Sequence, residues 1–263
     1  MDLGLSGRPA LVAAASRGMG FAAARSLAGE GARVAICSRD RGAVEAARDR
    51  IGEETGAEVH ALVADVAEAG DVERFVREGA EAAGGCQILV PNAGGPPPGS
   101  AADAPEDVWR AALDLTFLSV VRMCRAALPL MREAGYGRIV AISSLVVKQP
   151  EPSLAISNAV RLAVTGFLRT LAWEAARDGV TVNAVLPSSV LTDRHRQLAE
   201  RRAAEAGRTL DEQLAEDGAA VPVGRLGDPA EVGDLVAFLA SERAAFLTGL
   251  QVQADGGLYR GTL

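Results

Sequence analysis

Short apolar runs alternate with helically periodic stretches along most of the 263-residue chain. Consecutive positions within each run are apolar, which is typical of strands buried on both faces of a parallel sheet. The runs predict strands at 9–13, 33–37, 59–63, 87–90, 138–142 and 180–185. The stretches between them predict helices at 19–29, 68–83, 105–133 and 153–177, with a kink or break at Pro129. A further helix follows the second strand and continues to about residue 54. This order predicts an α/β fold whose doubly wound parallel sheet carries helices on both faces.

One segment, at about 188–220, interrupts the alternation because it is polar and rich in arginine and glutamate. It predicts a helical insertion that acts as a lid or substrate loop, or else a solvated pair of helices. The arginines of this segment would suit a phosphate-bearing acyl carrier or coenzyme A, whereas their alternation with glutamates favours a solvated surface. They are Arg194, Arg196, Arg201 and Arg202.

Length and charge narrow the class of protein. The length suits one large α/β domain spanning residues 1–263. A net charge of −7 argues against a nucleic-acid partner bound through its phosphates. The chain starts without a basic region followed by an apolar one, and no apolar run approaches the length of a membrane span. We therefore expect a cytoplasmic protein with no membrane partner.

The three cysteines, Cys37, Cys86 and Cys124, are dispersed and lack the spacing of a metal site. Two lie in or beside apolar runs and the third lies in a helical stretch. We expect free buried thiols in a reducing compartment, and no bound metal.

Glycines follow the first predicted strand, where the chain reads Ala-Ala-Ala-Ser-Arg-Gly-Met-Gly over residues 13–20. Two glycines at the start of a helix let backbone N–H groups approach a pyrophosphate at the positive helix end. The same spacing also occurs as simple turn chemistry, so the other strand ends matter. The second strand ends with Ser38 and Arg39 in place of an acidic residue, which suits a ribose 2′-phosphate better than a 2′-hydroxyl.

These strand ends and several later motifs resemble the short-chain dehydrogenase/reductase family over the whole length of the chain. The resemblance rests on the 18–20 turn, Asn92-Ala93-Gly94, the run 222–232, residues 238–241, Thr248-Gly249 and the run 254–257. The branch that it most resembles is that of the β-ketoacyl-acyl-carrier-protein reductases, including divergent members with an incomplete catalytic set. It implies a Rossmann-type, seven-stranded parallel sheet that binds NAD(P), with NADP(H) preferred over NAD(H).

The resemblance also assigns the cofactor site residue by residue. It places Ser16, Arg17, Gly18, Met19 and Gly20 at the pyrophosphate, and it places Ser38, Arg39 and again Arg17 at the 2′-phosphate. It places Asp65 and Val66 beside the adenine, and Asn92, Ala93, Gly94 and Arg161 along the ribose. It places Pro187 and Thr192 at the nicotinamide. Three of the cofactor motifs depart from the family pattern: Ala14 and Ser188 stand where glycines are usual, and Pro91 stands where the family has an asparagine before Asn92. An alanine at position 14 costs about 1 kcal/mol if the turn needs a positive φ.

The catalytic positions depart further. The family uses a serine that polarises a carbonyl, a tyrosine that donates a proton, a lysine four residues later, and an asparagine in a proton relay. Ser144 matches the serine, but the tyrosine and lysine positions hold Ser157 and Arg161, and we assign the asparagine position to Asp114. Because Lys148 is the only lysine in the chain, a compositional bias toward arginine also explains Arg161.

Each departure changes the expected chemistry. An aliphatic hydroxyl is a far weaker acid than a phenol, so Ser157 would relay a proton but would donate one poorly. Arg161 keeps the positive charge and suits the ribose hydroxyls, and Asp114 would exchange protons if burial raised its pKa, or would simply pair with an arginine. Other candidate donors are weaker: Tyr136 lies at the wrong edge of the sheet, Tyr259 would act only across a subunit boundary, and His60 and His195 are better explained as structural and surface residues.

The leading functional hypothesis is an NADP(H)-dependent oxidoreductase with altered proton delivery, acting on a small carbonyl or alcohol compound or an acyl thioester. The rivals are a catalytically degenerate nucleotide-binding or regulatory protein and a non-redox enzyme in the same pocket. The helices predicted at 105–133 and 153–177 are apolar around much of their circumference. The resemblance implies that they form a dimer interface, doubled into a homotetramer, with a homodimer as the simpler alternative.

Overall fold

Seven parallel strands form the centre of the computed structural model, which describes residues 2–262. They are β1 (Pro9–Val12), β2 (Arg33–Ser38), β3 (Val59–Val63), β4 (Ile88–Val90), β5 (Gly137–Ile142), β6 (Val180–Pro187) and β7 (Gln251–Ala254). Their order in the sheet is β3-β2-β1-β4-β5-β6-β7. The predicted doubly wound parallel sheet, the positions of its first six strands and the count of seven that the resemblance implies are therefore confirmed.

Nine α-helices connect or follow these strands within the described residues. They are α1 (Gly18–Gly29), α2 (Arg41–Thr55), α3 (Ala69–Ala83), α4 (Glu106–Ala112), α5 (Ser119–Glu133), α6 (Ala155–Ala175), α7 (Asp193–Ala206), α8 (Leu210–Ala219) and α9 (Pro229–Ala240). None of them is long and apolar enough to cross a membrane.

Two apolar cores lie on opposite faces of the sheet, because successive residues of a strand point to opposite sides. Leu11 of β1 packs with residues of α3, α5 and α6, whereas its neighbour Val12 packs with residues of α1, α2 and α9. All three cysteines are free and buried, as expected. Burial raises the pKa of the Cys37 and Cys86 thiols to about 12, which leaves them protonated and unreactive at neutral pH.

The helical stretch predicted at 105–133 is irregular, but not at Pro129, where the kink or break was predicted. Helix α5 continues through Pro129 to Glu133. Because Pro129 has no N–H, the carbonyl of Arg125 lacks its usual hydrogen-bond donor within the helix. Both residues are exposed, so water can donate to that carbonyl instead. The irregularity lies earlier, at Leu113–Leu118, where one turn of π-helix joins α4 to α5.

The sheet reverses its winding between β1 and β4, which are neighbours although they are far apart in the chain. In doubly wound sheets the crevice beyond the carboxyl ends of two such strands is the usual place for a ligand. The turns after β1 and β4, and the loops that approach them from β5 and β6, are therefore where a functional site is expected.

Helices α7 and α8 form the segment predicted at about 188–220. Asp217, which is largely buried, joins the two helices because it accepts hydrogen bonds from Arg202 of α7 at 2.7 and 3.0 Å and lies 3.0 Å from Nε2 of His195. The segment is thus a helix pair fastened by an internal charge cluster. His195 is taken up in this cluster rather than left on the open surface.

Candidate cofactor and catalytic cleft

The turn after β1 is closed by a glycine that has no room for a side chain. A Cβ on Gly20 would lie 2.5 Å from the Ala14 carbonyl oxygen and 2.6 Å from the Asn92 side-chain nitrogen, closer than atoms approach. The Asn92 amide donates to the carbonyls of Ala13 at 3.3 Å and Ala14 at 3.2 Å, which joins the end of β4 to this turn. Ala14 itself adopts a φ of +48°, the left-handed conformation that glycine tolerates best.

The beginning of α1 is open toward the same edge of the sheet. Arg17 precedes the helix in an extended conformation, and no side chain caps the helix at this end. Gly18 has a φ of +61°, and a Cβ there would lie 3.6 Å from Thr192, the residue that caps α7 with its hydroxyl. The uncapped N–H groups and the positive helix end therefore suit an anionic group such as a pyrophosphate, with Thr192 beside it.

The ends of β2 and β3 lie side by side. Arg39 is three-quarters exposed, and its guanidinium is 3.8 Å from the Asp65 carboxylate. Ser38 donates a hydrogen bond to the Asp40 carbonyl, Val66 is buried, and the backbone N–H of Asp65 is held by the Asp71 carboxylate at 2.8 Å. The predicted 2′-phosphate and adenine residues are thus neighbours at the edge where the prediction placed them.

Ser157 and Arg161 form a direct pair on α6. The Arg161 Nε donates a hydrogen bond to the Ser157 hydroxyl oxygen at 3.2 Å, as expected for residues one helical turn apart. Burial, together with the smaller effect of the nearby positive charge of Arg194, lowers the pKa of Arg161 to about 10. At neutral pH the guanidinium is still charged, and no carboxylate within residues 2–262 forms an ion pair with it.

A small cavity of about 10 Å³ lies beneath the Arg161 side chain, with room for roughly one water molecule. Its lining comes from five parts of the chain: Pro91, Asn92 and Ala93 after β4, Thr116 of the π-helical turn, Val120 of α5, Ser143 and the end of β5, and Val164 of α6. The hydroxyls of Thr116 and Ser143 are buried and have no hydrogen-bond partner among the described residues. Buried hydroxyls are normally paired, so both point to a ligand or water in this cavity.

The structure corrects the assignment of Asp114. Its carboxylate is 46 % exposed and accepts a hydrogen bond from Arg122 at 2.9 Å, so it does not line the cavity. The residue that faces the cavity from this stretch is Thr116, which is 3 % exposed. The assignment to Asp114 rests on the family resemblance, which does not show which side chain of the π-helical turn faces the cavity.

The remaining predicted residues lie near the same edge but do not all touch. Ser144, in extended backbone directly after Ser143, is partly exposed, and its hydroxyl accepts a hydrogen bond from the Val146 N–H at 3.4 Å. Within the described residues no hydrogen bond joins Ser144 to Ser157. Pro187 is the last residue of β6, and Gly94 is exposed after β4. The structure thus brings together Asn92, Ala93 and Arg161, and adds the unforeseen Thr116 and Ser143.

The aromatic residues considered as other proton donors lie elsewhere. Tyr136 precedes β5 at the amino end of the sheet, its hydroxyl donates to the Ala240 carbonyl at 3.0 Å, and its ring lies between the guanidiniums of Arg8 and Arg138. Tyr259 packs beneath Lys148, with 5.3 Å between the ammonium nitrogen and the ring centroid. Neither tyrosine lines the cavity beside Arg161.

A doubly wound sheet with a glycine-dependent turn at its switch point, and a cation that lines a small cavity beside it, are features of a nucleotide-binding α/β fold. Comparison with known proteins agrees. The family profile described as enoyl-(acyl carrier protein) reductase matches residues 13–259. The chain is similar to dehydrogenase/reductase SDR family member 4 of Bos taurus, with 36% identity over 96% of this chain and 88% of the relative. It is also similar to the 3-oxoacyl-[acyl-carrier-protein] reductase of Vibrio cholerae, with 34% identity over 98% of this chain and 99% of the relative. The chain belongs to the short-chain dehydrogenase/reductase family.

Solved structures give the same result. L-Sorbose reductase from Gluconobacter frateurii, complexed with NADPH and L-sorbose, superposes with a TM-score of 0.95 at 30% identity, covering 99% of this chain and 100% of that one. A short-chain oxidoreductase from Pseudomonas aeruginosa, described as containing an atypical catalytic center, is NADPH-bound and superposes with a TM-score of 0.87. It is 35% identical over 96% of this chain and 97% of its own length.

Proposed function

We propose that the protein is an NADP(H)-dependent oxidoreductase that interconverts a carbonyl and an alcohol, in the manner of 3-oxoacyl reductases, with an altered route for the proton. The observation that carries the proposal is the Ser157–Arg161 pair. It retains a cation and a hydroxyl beside a small cavity lined by Arg161, at the switch point of a sheet whose first turn has no room for a side chain at Gly20.

The residues present fit a dinucleotide. The open start of α1 and the bare backbone at Gly18 suit the pyrophosphate, and Arg17 and Arg39 are exposed where a 2′-phosphate would need charge-assisted hydrogen bonds. Asp65 and Val66 lie beside them for the adenine. Arg161 and Asn92 would border the ribose of a bound dinucleotide. When bound, the nicotinamide ring supplies or accepts the hydride.

The same geometry assigns roles to the serines. Because the Ser157 oxygen accepts the Arg161 N–H, its own hydroxyl proton is free to be donated to a substrate oxygen. Ser144 offers a second hydroxyl from the end of β5. The Arg161 charge would stabilise the alkoxide that forms when a carbonyl is reduced. Neither serine is acidic enough to lose its proton outright, so the proton that completes the alcohol would come from solvent through this hydroxyl.

Oxidation of NADPH, measured with ketones, aldehydes, ketoses and 3-oxoacyl thioesters, tests the proposal. This panel follows the substrates named for the relatives, and it covers both the small-molecule and the acyl-thioester alternatives. Cofactor binding without turnover on any of them would favour a nucleotide-binding or regulatory protein. Consumption of a substrate without NADPH oxidation would favour a non-redox enzyme.

A double variant tests the altered proton route. Ser157→Tyr with Arg161→Lys restores the residues usual in the family, and we expect carbonyl reduction to rise by about tenfold or more, which requires only about 1.4 kcal/mol of barrier. Ser157→Phe with Arg161→Lys is the matched control, since it adds the ring without its hydroxyl. A wild type already as fast as the double variant, or a Ser157→Ala variant with undiminished turnover, would contradict the proposed role of Ser157.

We further propose a homotetramer, with a homodimer as its half-assembled form. Large apolar side chains are exposed in two separate regions: Leu162 and Trp173 on one face of α6, and Phe238, Phe246 and Leu250 in α9 and the segment before the edge strand β7. Two apolar patches suit the two interfaces of a tetramer with two-fold symmetry. The three buried free thiols favour a reducing compartment, the cytoplasm, and cell fractionation checks this.

A further inference from the structure

Two arginines border the short segment that follows β4, and neither has a counter-charge. Arg161 lines the cavity formed with Asn92 and Ala93. Arg194, from the first turn of α7, donates a hydrogen bond from Nη2 to the carbonyl of Pro96 at 2.9 Å. Within residues 2–262 no carboxylate forms an ion pair with either guanidinium, whereas many other arginines of the chain are paired. The cleft therefore carries two positive charges that the protein leaves unbalanced.

The chain makes room for Arg194 at this place. A Cβ on Gly95 would lie 3.4 Å from both Cζ and Nη2 of Arg194, tighter than most such contacts. The backbone of Gly95 is not in the left-handed region, so its conformation does not require glycine. The absence of a side chain instead lets the guanidinium rest on the backbone while the Pro96 carbonyl holds it. Arg194 is exposed, but this hydrogen bond holds its guanidinium beside Gly95.

The bound cofactor would not neutralise this pair. Its ribose hydroxyls carry no charge, and the residues that suit its phosphates lie elsewhere, at the start of α1 and at Arg39. A charge removed from water is costly unless another charge compensates it, and burial already lowers the pKa of Arg161. A planar guanidinium matches the two oxygens of a carboxylate or of a phosphate.

We propose that the substrate is a carbonyl compound with an anionic head, a carboxylate or a phosphate, which Arg194 and Arg161 bind beside the Ser157 hydroxyl. This inference rests on the proposed function for the reaction itself, but the anion site is a separate property of the cleft. The two arginines fix the head of the substrate. Its carbonyl then lies toward the serines, where Arg161 serves both the head and the developing alkoxide.

Matched pairs of substrates test the proposal, because they change only the charge. The pairs are pyruvate and methyl pyruvate, acetoacetate and methyl acetoacetate, and dihydroxyacetone phosphate and dihydroxyacetone. We expect kcat/KM to favour the charged member of at least one pair, and the pair that responds identifies a carboxylate or a phosphate. In Arg194→Gln the KM of the charged member should rise roughly tenfold or more, as for the loss of one hydrogen bond to a charged group, with the neutral member unaffected.

Arg196→Gln is the control, since Arg196 is exposed on the same helix and should affect neither member. Equal kinetics for charged and neutral substrates in the wild type would overturn the proposal. It would also be overturned if Arg194→Gln impaired both members equally, or weakened NADPH binding instead, which would place Arg194 at the cofactor phosphates.

Calorimetric titration with malonate and with inorganic phosphate separates this inference from the proposed function, because it needs no turnover. We expect one of them to bind to the NADP+-saturated wild type and to Arg196→Gln, and to bind at least tenfold more weakly to Arg194→Gln. A protein that reduces none of the ketones but binds the anion would refute the proposed function and support the anion site. A protein in which neither anion binds would refute the anion site, whatever its reductase activity.

Discussion

Replacing Ala14 by glycine should stabilise the protein, because this residue holds a conformation that its side chain disfavours. Ala14 has a φ of +48° in the turn between β1 and α1. The turn cannot easily relax: the neighbouring N–H groups donate to the carbonyls of Val90 at 3.1 Å and Cys37 at 3.0 Å, and Asn92 holds the Ala14 carbonyl at 3.2 Å. The strain is therefore imposed by contacts with the ends of the two strands that flank β1, namely β2 and β4.

The expected gain follows from two opposing terms. An L-residue in the left-handed region costs about 1–2 kcal/mol. Glycine removes that strain but gives the unfolded chain more freedom, which costs about 0.4–1 kcal/mol. The net increase in the free energy of unfolding for Ala14→Gly should therefore be about 0.5–1 kcal/mol, equivalent to a rise in Tm of about 1–3 °C for a chain of this size.

Urea denaturation at a fixed protein concentration measures this change, because assembly would otherwise shift the midpoint. The midpoint should rise while the slope of the free energy against urea stays constant. Ala15→Gly is the control: Ala15 is fully buried, has no positive φ, and should lose about 1–2 kcal/mol through the lost methyl contact and the added chain freedom. If Ala14→Gly is as destabilising as Ala15→Gly, the positive φ carries no strain and the reasoning is refuted.

Three further predictions concern the cofactor and the assembly. Arg39→Asp should reverse a preference for NADPH over NADH, measured by fluorescence titration; tighter NADH binding by the wild type would contradict this. Arg161→Ala should weaken NADPH binding through the loss of hydrogen bonds to the ribose, with Ser157→Ala having the smaller effect, and the opposite ranking in calorimetry would reject the assignment. Trp173→Glu should dissociate the oligomer, as measured by light scattering, because it introduces a charge into the apolar face of α6, where Trp173 is 79 % exposed in the isolated chain. A wild type that is monomeric at micromolar concentration would show that no such interface exists.

The sheet was predictable from sequence because its strands are apolar on both faces, and that signal does not depend on neighbouring elements. For the turn at Ala14, the sequence predicted the energetic cost of an alanine only if φ was positive there, and the structure was needed to show that it is positive. Thr116 was missed because the assignment to Asp114 came from the family resemblance, which does not show which side chain of the π-helical turn Leu113–Leu118 faces the cavity. The position of Arg194 depends on contacts with Gly95 and Pro96, which are about a hundred residues away in the chain, and no local pattern records them.

The place of β1 in the middle of the sheet also limits how the chain can fold. Strands β1, β2 and β3 pair with near neighbours in the chain, so the segment that ends with α3 can assemble them early. The other edge of β1 pairs with β4, through residue 10 with residue 88, and such distant pairings form slowly. Until then an apolar strand edge remains unpaired, and unpaired edges promote association between chains. A chain halted on the ribosome or cleaved before β4 would therefore be prone to aggregation, and pairing of β4 with β1 removes that exposed edge.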